Sequence, residues 1–406
     1  MSISCGDTVT THLNVVTRSP LILYRGICCP FERMAINKIE LYAARIPRKN
    51  PFRTSRGVQT KVNGVFLFVQ DGSGMIGYGE APPRSHINGE TLTSAMADLT
   101  RISEEVNGMD ATAAREYVCS DSVIGPSAQI GMEMALLDII GQQHQKPICD
   151  IIGNARDEVG YWGLVNSDLC GDALTSKLHK MIKRGYDQIR IKVGEVEYEP
   201  EIERLHLARN VCGDTVKLWV DANQAWDLDH ARKYLDTLAE VGIVMIEQPL
   251  DADNYEGHGI LQKETDIPIM IDEGVQSEAD LDYVIETNCA KAVNLKLLKL
   301  GTTSETARLL RKAKDAGFAT YAGGTAVTDL FAAFARHMEF GLPDLDYFST
   351  GVPRGSNFVD NPVTPGLRFD GKGTYALPPT KPGLGVVLKK DVLLHHVIDK
   401  KVIGHE

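Results

Sequence analysis

Residues 186–301 give the clearest indication of the fold, because five short apolar runs within this stretch each end in a charged residue. In order along the chain the runs are Ile189-Arg190-Ile191-Lys192, Leu218-Trp219-Val220-Asp221, Val244-Met245-Ile246-Glu247, Ile269-Met270-Ile271-Asp272 and Val293-Asn294-Leu295-Lys296. Successive charged residues are 29, 26, 25 and 24 positions apart. Such runs are typical of strands buried on both faces, and the spacing leaves room for one crossover helix between neighbours. The pattern predicts an α/β fold, a parallel TIM-type β/α barrel with charged side chains at its catalytic face.

A small α+β domain is predicted ahead of this barrel. Strand patterns at 36–42, 64–69 and 75–80 are followed by helical patterns at 91–106, 111–118 and 127–144. We therefore expect a capping domain at 34–157, the barrel at 158–355, and a C-terminal segment, 356–406, that returns to the capping domain with a final strand at 382–388. Residues 1–33 are predicted to form a disordered or loosely attached N-terminal extension.

Charge and composition narrow the class of protein. The net charge of -11 argues against a nucleic-acid surface and against an anionic membrane as partner. No apolar run approaches the roughly 20 residues that cross a bilayer. The eight cysteines include no C-x-x-C pair, which is typical of reduced thiols in the cytoplasm. A cytoplasmic enzyme with a small-molecule substrate is predicted, and a homo-oligomer is expected.

Three of the charged strand ends are acids, and they suggest a metal site. Asp221, Glu247 and Asp272 end consecutive strands, so their carboxylates should converge at the mouth of the barrel. Buried carboxylates repel each other and lose hydration, so such a cluster needs a cation. An all-oxygen ligand set favours a hard ion, Mg²⁺ before Mn²⁺. A single acid after a strand is commonly a helix cap, but three at barrel periodicity are better explained as ligands.

The other two strand ends are lysines, and they suggest acid–base chemistry. Lys192 and Lys296 should lie on opposite sides of the predicted metal site. A partly desolvated lysine beside a divalent cation has a lowered pKa and can act as a base. A carboxylate substrate held by the cation would offer its α-proton to one lysine, and the cation would stabilise the resulting enediolate. Two lysines on opposite faces permit removal on one side and return on the other, which is racemisation or epimerisation.

The motifs at these positions resemble the enolase superfamily, muconate-lactonizing subgroup. They are Arg190-Ile191-Lys192 (where the family usually has Lys-x-Lys), Asp221-Ala222-Asn223, Glu247-Gln248-Pro249, Asp272-Glu273 and Asn294-Leu295-Lys296-Leu297-Leu298-Lys299, with Pro382-Gly383-Leu384-Gly385 near the end. The resemblance covers residues 34–388 and implies a modified, enolase-like barrel. It also implies metal ligation by the three acids, acid–base roles for Lys192 and Lys296, and support of the ligands by Asn223 and Glu273.

Within this subgroup the loops resemble those of dipeptide epimerases of the Ala-Glu type. The resemblance implies that Asp344 and Asp346, an Asp-x-Asp pair, hold a substrate ammonium at the eighth strand. Arg53, in the presumed specificity loop, and Arg84 are candidates for a second substrate carboxylate, although both also fit as ordinary surface charges. Arg190 departs from the family pattern and is expected to hold the substrate carboxylate or to position Lys192.

The sequence therefore predicts an isomerase, a Mg²⁺-dependent epimerase or racemase of a dipeptide or N-modified amino acid. An alternative uses the same first step but ends in elimination or ring closure, as in a muconate-type cycloisomerase, an o-succinylbenzoate synthase or a hydroxy-acid dehydratase. A non-enzymatic binding or scaffold protein is a third interpretation, and it would leave the three acids and two lysines without a purpose.

Overall fold

The computed structural model describes residues 34–54, 57–121, 123–153, 155–324, 327–348, 358–364, 375–376 and 378–404. The predicted N-terminal extension, residues 1–33, lies outside the described residues. In the described part no helix is long and apolar enough to cross a membrane.

The capping domain contains an antiparallel sheet with helices packed on it. Its strands are β1 (Ile36–Thr54), β2 (Gly57–Asp71) and β3 (Ile76–Ala81), and its helices are α1 (Leu92–Val106), α2 (Ala111–Ser120), α3 (Pro126–Gln143) and α4 (Ile148–Ile152). The Asp71 carboxylate accepts hydrogen bonds from the backbone of Ser73 and Met75 and so closes the β2–β3 turn. At Gly79 a Cβ would collide with the Gly131 carbonyl of α3, so the glycine permits the close contact between sheet and helix.

The catalytic half is a parallel sheet surrounded by helices. Its seven strands pair in the order β11-β10-β9-β8-β7-β6-β5. The strands are β5 (Gly163–Val165), β6 (Gln188–Lys192), β7 (Lys217–Asp221), β8 (Ile243–Glu247), β9 (Ile269–Ile271), β10 (Ala292–Asn294) and β11 (Ala319–Tyr321), after a short β4 (Val159–Gly160). The helices are α5 (Gly171–Arg184), α6 (Tyr198–Cys212), α7 (Leu228–Val241), α8 (Tyr255–Glu264), α9 (Glu278–Thr287), α10 (Leu297–Leu300), α11 (Thr303–Asp315) and α12 (Asp329–Gly341).

The predicted fold class, an α/β barrel, is confirmed. The eighth strand of this barrel is very short. Tyr347 continues the sheet beyond β11 through a single parallel bridge to Tyr321. Below the carboxyl ends of the strands, aromatic and apolar side chains fill the interior of the curled sheet. They are Trp162, Trp219, Met245, Met270, Ala292 and Tyr321, all nearly inaccessible to solvent. The interior is therefore a packed core, and only its upper end is available for chemistry.

Two polar contacts, the first buried and the second partly buried, help to attach the capping domain to the barrel. Glu80 of β3 accepts hydrogen bonds from the backbone of Thr328 and Phe331 at the start of α12, where the helix dipole favours a negative charge. Asn88, in the loop after β3, donates to the carbonyl of Leu298 at 3.1 Å. Because Leu298 lies between Lys296 and Lys299, this loop is tied directly to the segment that carries two of the site's lysines.

The C-terminal segment includes β12 (Tyr375–Ala376), α13 (Lys390–Leu394) and β13 (Val397–Gly404). The prediction of a final strand at 382–388 is wrong, because only isolated bridges at Gly383 and Leu388 occur there among the described residues. The final strand is β13, which pairs antiparallel with β1 and completes the capping sheet. This pairing agrees with a segment that returns to the capping domain, while the boundaries at 157 and 355 stay predictions.

Candidate active site

Three buried carboxylates lie at the carboxyl ends of three neighbouring strands. Asp221 and Glu247 are the last residues of β7 and β8, and Asp272 directly follows β9. The strand register pairs Asp221 with Glu247 on one side and with Lys192 on the other. All three acids are 0% exposed. Their burial follows from the sequence pattern, since each completes an apolar strand whose inward positions alternate with outward ones.

Basic side chains flank these acids and contact them directly. Lys192, the last residue of β6, lies 2.6 Å from Asp221 Oδ2. Lys296, two residues beyond β10, forms an ion pair with Asp272. In the order of the sheet, the three strands that carry the acids separate the two lysines. The structure thus brings together all five residues predicted to do the chemistry and to hold the metal, although their roles stay predictions.

The electrostatic environments of the two lysines differ. Burial, reinforced by the charge of Arg190, lowers the pKa of Lys192. Burial also opposes the charge of Lys296, but the neighbouring acids, Asp272 first among them, raise the pKa of Lys296 above its ordinary value. Burial raises the pKa of Glu247, and the nearby Asp272 adds to this effect. Lys192 is therefore easier to deprotonate than Lys296, as expected if the two lysines have different roles.

Two residues of the loops after the strands hold the acids in place with strained backbones. Asn223 donates to Glu273 Oε1 at 3.1 Å and contacts the ammonium of Lys192 through its own carbonyl. Gln248 accepts from the backbone N–H of Asp272 at 2.7 Å. Both have positive φ values, 44° and 39°, which are unfavourable for residues other than glycine. Strain of this kind is commonly found where a protein positions functional groups.

Lys299 is a member of the cluster to which the sequence analysis assigned no role. Its side chain is fully buried, and its ammonium donates to the carbonyls of Asp272 and Asn294 at 2.7 and 2.6 Å. It also contacts the Asp272 carboxylate at 3.2 Å. Burial lowers the pKa of Lys299 to about 8. Its position three residues after Lys296, one helical turn along α10, was the available signal.

The donor atoms of the site fit a hard divalent cation. All three predicted ligands are carboxylates, and Mg²⁺ prefers such oxygens. Glu247 Oε2 is buried and accepts no hydrogen bond from the described residues, although Arg190 Nη2 lies 2.9 Å away in an ion-pair contact. In the described ranges no three acidic, histidine or cysteine side chains already form a metal cluster. Arg190 and the lysines lie among the carboxylates instead, so an ion would have to compete with these cations.

Asp344 and Asp346, the predicted Asp-x-Asp pair, contact residues of α11 and β11. Asp344 forms an ion pair with Arg311 at 2.7 Å, and Asp346 forms one with Lys314 in the last turn of α11. Asp346 also accepts from the backbone N–H of Thr320 at 2.9 Å. Both carboxylates thus have partners within the barrel domain, and their predicted role at a substrate ammonium stays a prediction.

Arg84 is largely buried in the capping domain. Its guanidinium donates to the carbonyls of Asn63 and Pro83 at 2.8 and 2.7 Å, and the residue is 6% exposed. It thus holds the capping loop together, and its predicted binding of a substrate carboxylate stays a prediction. The side chain of Arg53 lies outside the described part of the chain, so its predicted role stays a prediction.

Comparison with known proteins places this geometry among related enzymes. Residues 37–153 match the family "Mandelate racemase / muconate lactonizing enzyme, N-terminal domain", and residues 173–392 match "Enolase C-terminal domain-like". N-succinyl-L-Arg/Lys racemase of Bacillus cereus is 26% identical, over 91% of this chain and 100% of the relative. Its crystal structure superposes with a TM-score of 0.82, at 25% identity and the same coverage.

Two further relatives represent the alternatives left open by the sequence. D-Ala-D/L-Ala epimerase of Cytophaga hutchinsonii is 28% identical, over 89% of this chain and 98% of the relative. A dipeptide epimerase structure from the same organism, complexed with Mg and the dipeptide D-Ala-L-Val, gives a TM-score of 0.79 at 26% identity, over 91% of this chain and 100% of that one. Chloromuconate cycloisomerase of Pseudomonas putida is 26% identical, over 89% of this chain and 99% of the relative.

Proposed function

Because this chain belongs to the mandelate racemase/muconate lactonizing enzyme family of the enolase superfamily, we propose that it removes and returns the proton α to a carboxylate. The predicted family and the predicted enzyme class, an isomerase of the racemase and epimerase type, are confirmed by these matches. The proposed substrate is a dipeptide or an N-modified amino acid, and the proposed cofactor is Mg²⁺. A chloromuconate cycloisomerase among the relatives makes ring closure the alternative outcome of the same first step.

One observation carries the proposal: two buried lysines flank three buried carboxylates across consecutive strands. Asp221, Glu247 and Asp272 would hold the cation. When bound, Mg²⁺ would hold the substrate carboxylate and stabilise the negative charge that develops there as the α-proton leaves. Proton transfer itself is assigned to Lys192 and Lys296. Because the lysines lie on opposite sides of the acids, a substrate between them would present one face of its α-carbon to each.

The surrounding residues would orient the two proton carriers. Asn223 contacts the Lys192 ammonium, and its own amide is fixed by Glu273. Arg204 donates to the carbonyl of Lys192 at 2.5 Å and so anchors the end of β6. On the opposite side, the ion pair with Asp272 directs the Lys296 ammonium toward the acids. Such fixed positions are worth more in a buried site than in water, because little reorganisation is needed during the reaction.

The nature of the substrate's amino end is less constrained than the sequence implied. Asp344 and Asp346 were the argument for a free ammonium, and in the structure they form ion pairs with Arg311 and Lys314. An N-acylated amino acid therefore fits the site as well as a dipeptide does. Both classes belong in any test, and the B. cereus relative is a racemase of N-succinylated amino acids.

The experiment is an exchange assay in D₂O with Mg²⁺ against a library of dipeptides and N-succinyl amino acids. Loss of the α-proton signal by NMR, with appearance of the second stereoisomer, is the expected result. Lys192→Ala and Lys296→Ala should each abolish inversion while leaving exchange of the isomer that faces the remaining lysine. Removal of a general base typically costs 10²–10⁴-fold in rate, so the loss is easily measured.

Lys312→Ala is the matched control, since this lysine is partly exposed and pairs with Glu278 on the outer surface. It should exchange at the wild-type rate. Formation of an unsaturated or cyclic product that persists in Lys296→Ala would instead identify one-base elimination or ring closure. If no library member exchanges its α-proton, the proposed function is wrong.

A further inference from the structure

Arg190 lies between two of the three carboxylates expected to hold the metal. Its Nη2 forms an ion pair with Asp221 and lies 2.9 Å from Glu247 Oε2. A guanidinium is planar and presents several donors in a fixed fork, so it can bridge two acids in a way that a lysine ammonium does less well. In this arrangement Asp221 and Glu247 share one guanidinium, at the position where the chemistry of the family requires a metal ion.

The guanidinium is confined from below and from the side. Its central carbon lies 5.4 Å from the centre of the Trp219 ring, and Nη1 is 3.5 Å from the Tyr321 hydroxyl. The residue is 8% exposed, and its buried Nε has no hydrogen-bond partner in the part of the chain that the structure describes. Arginine stays protonated in proteins, so this charge persists whatever binds beside it. A metal ion that reached Asp221 and Glu247 would therefore have to displace the guanidinium rather than neutralise it.

The charges around Arg190 determine whether binding of a metal ion alone is favourable. Asp221, Glu247, Asp272 and Glu273 contribute four negative charges. Arg190, Lys192, Lys296 and Lys299 contribute four positive charges in contact with three of these acids. A divalent cation alone would leave the buried cluster with an excess of two positive charges, which is unfavourable in a medium of low polarity. A substrate carboxylate would remove part of this excess and give the displaced guanidinium a new partner.

We propose that Arg190 competes with the divalent cation for Asp221 and Glu247 and transfers to the carboxylate of an incoming ligand. Metal and carboxylate then bind with positive coupling, each strengthening the other by the same factor. The inference rests on the proposed function in so far as both require a metal at these acids. It adds a task for the arginine that replaces the usual lysine of the family motif: the site is completed only when both ligands are present.

The test measures Mn²⁺ binding to the full chain without substrate, by calorimetry and by tryptophan fluorescence, to which Trp219 beside Arg190 contributes. Arg190→Met leaves an unbranched apolar side chain and removes the charge, so Mn²⁺ should bind at least about tenfold more tightly than to the wild type. Arg190→Lys keeps the charge but not the fork, and an intermediate increase is expected. It also preserves the test if Arg190→Met fails to fold. Arg115→Lys, which alters an ion pair with Glu133 away from the site, should bind Mn²⁺ like the wild type.

A second titration adds acetate as a small carboxylate probe. In the wild type, saturating acetate should tighten Mn²⁺ binding several-fold, and in Arg190→Met this effect should largely disappear. Equal Mn²⁺ affinity in all variants, or an acetate effect that is absent from the wild type or unchanged in Arg190→Met, would overturn the inference. These readouts need no turnover, so a protein that shows the coupling but exchanges no α-proton would retain this inference and lose the proposed function.

Discussion

Replacing Lys299 by methionine tests whether the newly found member of the cluster holds the site together. Its ammonium donates to the carbonyls of Asp272 and Asn294 and contacts the Asp272 carboxylate, all away from solvent. Methionine has nearly the same length and fills the same space, but it donates no hydrogen bond. The substitution therefore removes the three contacts without opening a cavity.

The expected cost follows from what remains buried. Each acceptor left without a donor costs about 1–3 kcal/mol, and part of this is offset because the ammonium no longer has to be desolvated. Breaking one side of a buried ion pair typically destabilises a protein by about 3–5 kcal/mol, and we expect a loss within this range.

Equilibrium unfolding in urea, compared at equal m-values, measures the loss. Lys312→Met is the matched control: the same substitution on α11 removes partly exposed ion pairs with Glu278 and Asp282, and it should cost no more than about 1 kcal/mol. If Lys299→Met changes the free energy of unfolding no more than the control does, Lys299 does not hold Asp272 in place.

Two further predictions concern residues outside the site. Burial raises the pKa of Asp138 from 3.8 to about 6 while it accepts hydrogen bonds from Tyr78 and Leu384. The folded state thus holds this proton more tightly than the unfolded chain, and stability should fall by up to about 3 kcal/mol as the pH rises from about 4 to 6. In Asp138→Asn this pH-dependent contribution to stability should vanish, which urea unfolding at several pH values measures. If the wild type and Asp138→Asn had the same pH dependence of stability, the raised pKa of Asp138 would be contradicted. Asp346→Asn should weaken the contacts with Thr320 and Lys314 and lower the free energy of unfolding by about 1–2 kcal/mol, while exchange activity is retained. A large fall in kcat/KM at unchanged stability would instead support a role of Asp346 in substrate binding.

The parallel barrel and the charged residues at its mouth could be predicted from the sequence alone. Five apolar runs at a nearly constant interval specify buried strands joined by crossover helices, and this local pattern needs no knowledge of distant contacts. Since parallel strands end on one side of the sheet, Asp221, Glu247 and Asp272 had to meet there. The lysines at 192 and 296 followed from the same argument, and the structure brings them to the two sides of the acids.

The contacts of the other polar residues came from the three-dimensional structure. Asp344 and Asp346 match an Asp-x-Asp motif in letters, but their ion pairs with Arg311 and Lys314 depend on how α11 packs beside the eighth strand. Lys299 appeared in the sequence only as the last residue of a motif, yet its ammonium is buried against Asp272. Arg190 was recognised as unusual, but its contact with two carboxylates depends on where β7 and β8 lie beside β6. The spacing of residues along the chain indicates which end of a long strand a residue occupies. The partners of its side chain, however, lie on neighbouring strands that come from distant parts of the sequence, so spacing alone does not predict them.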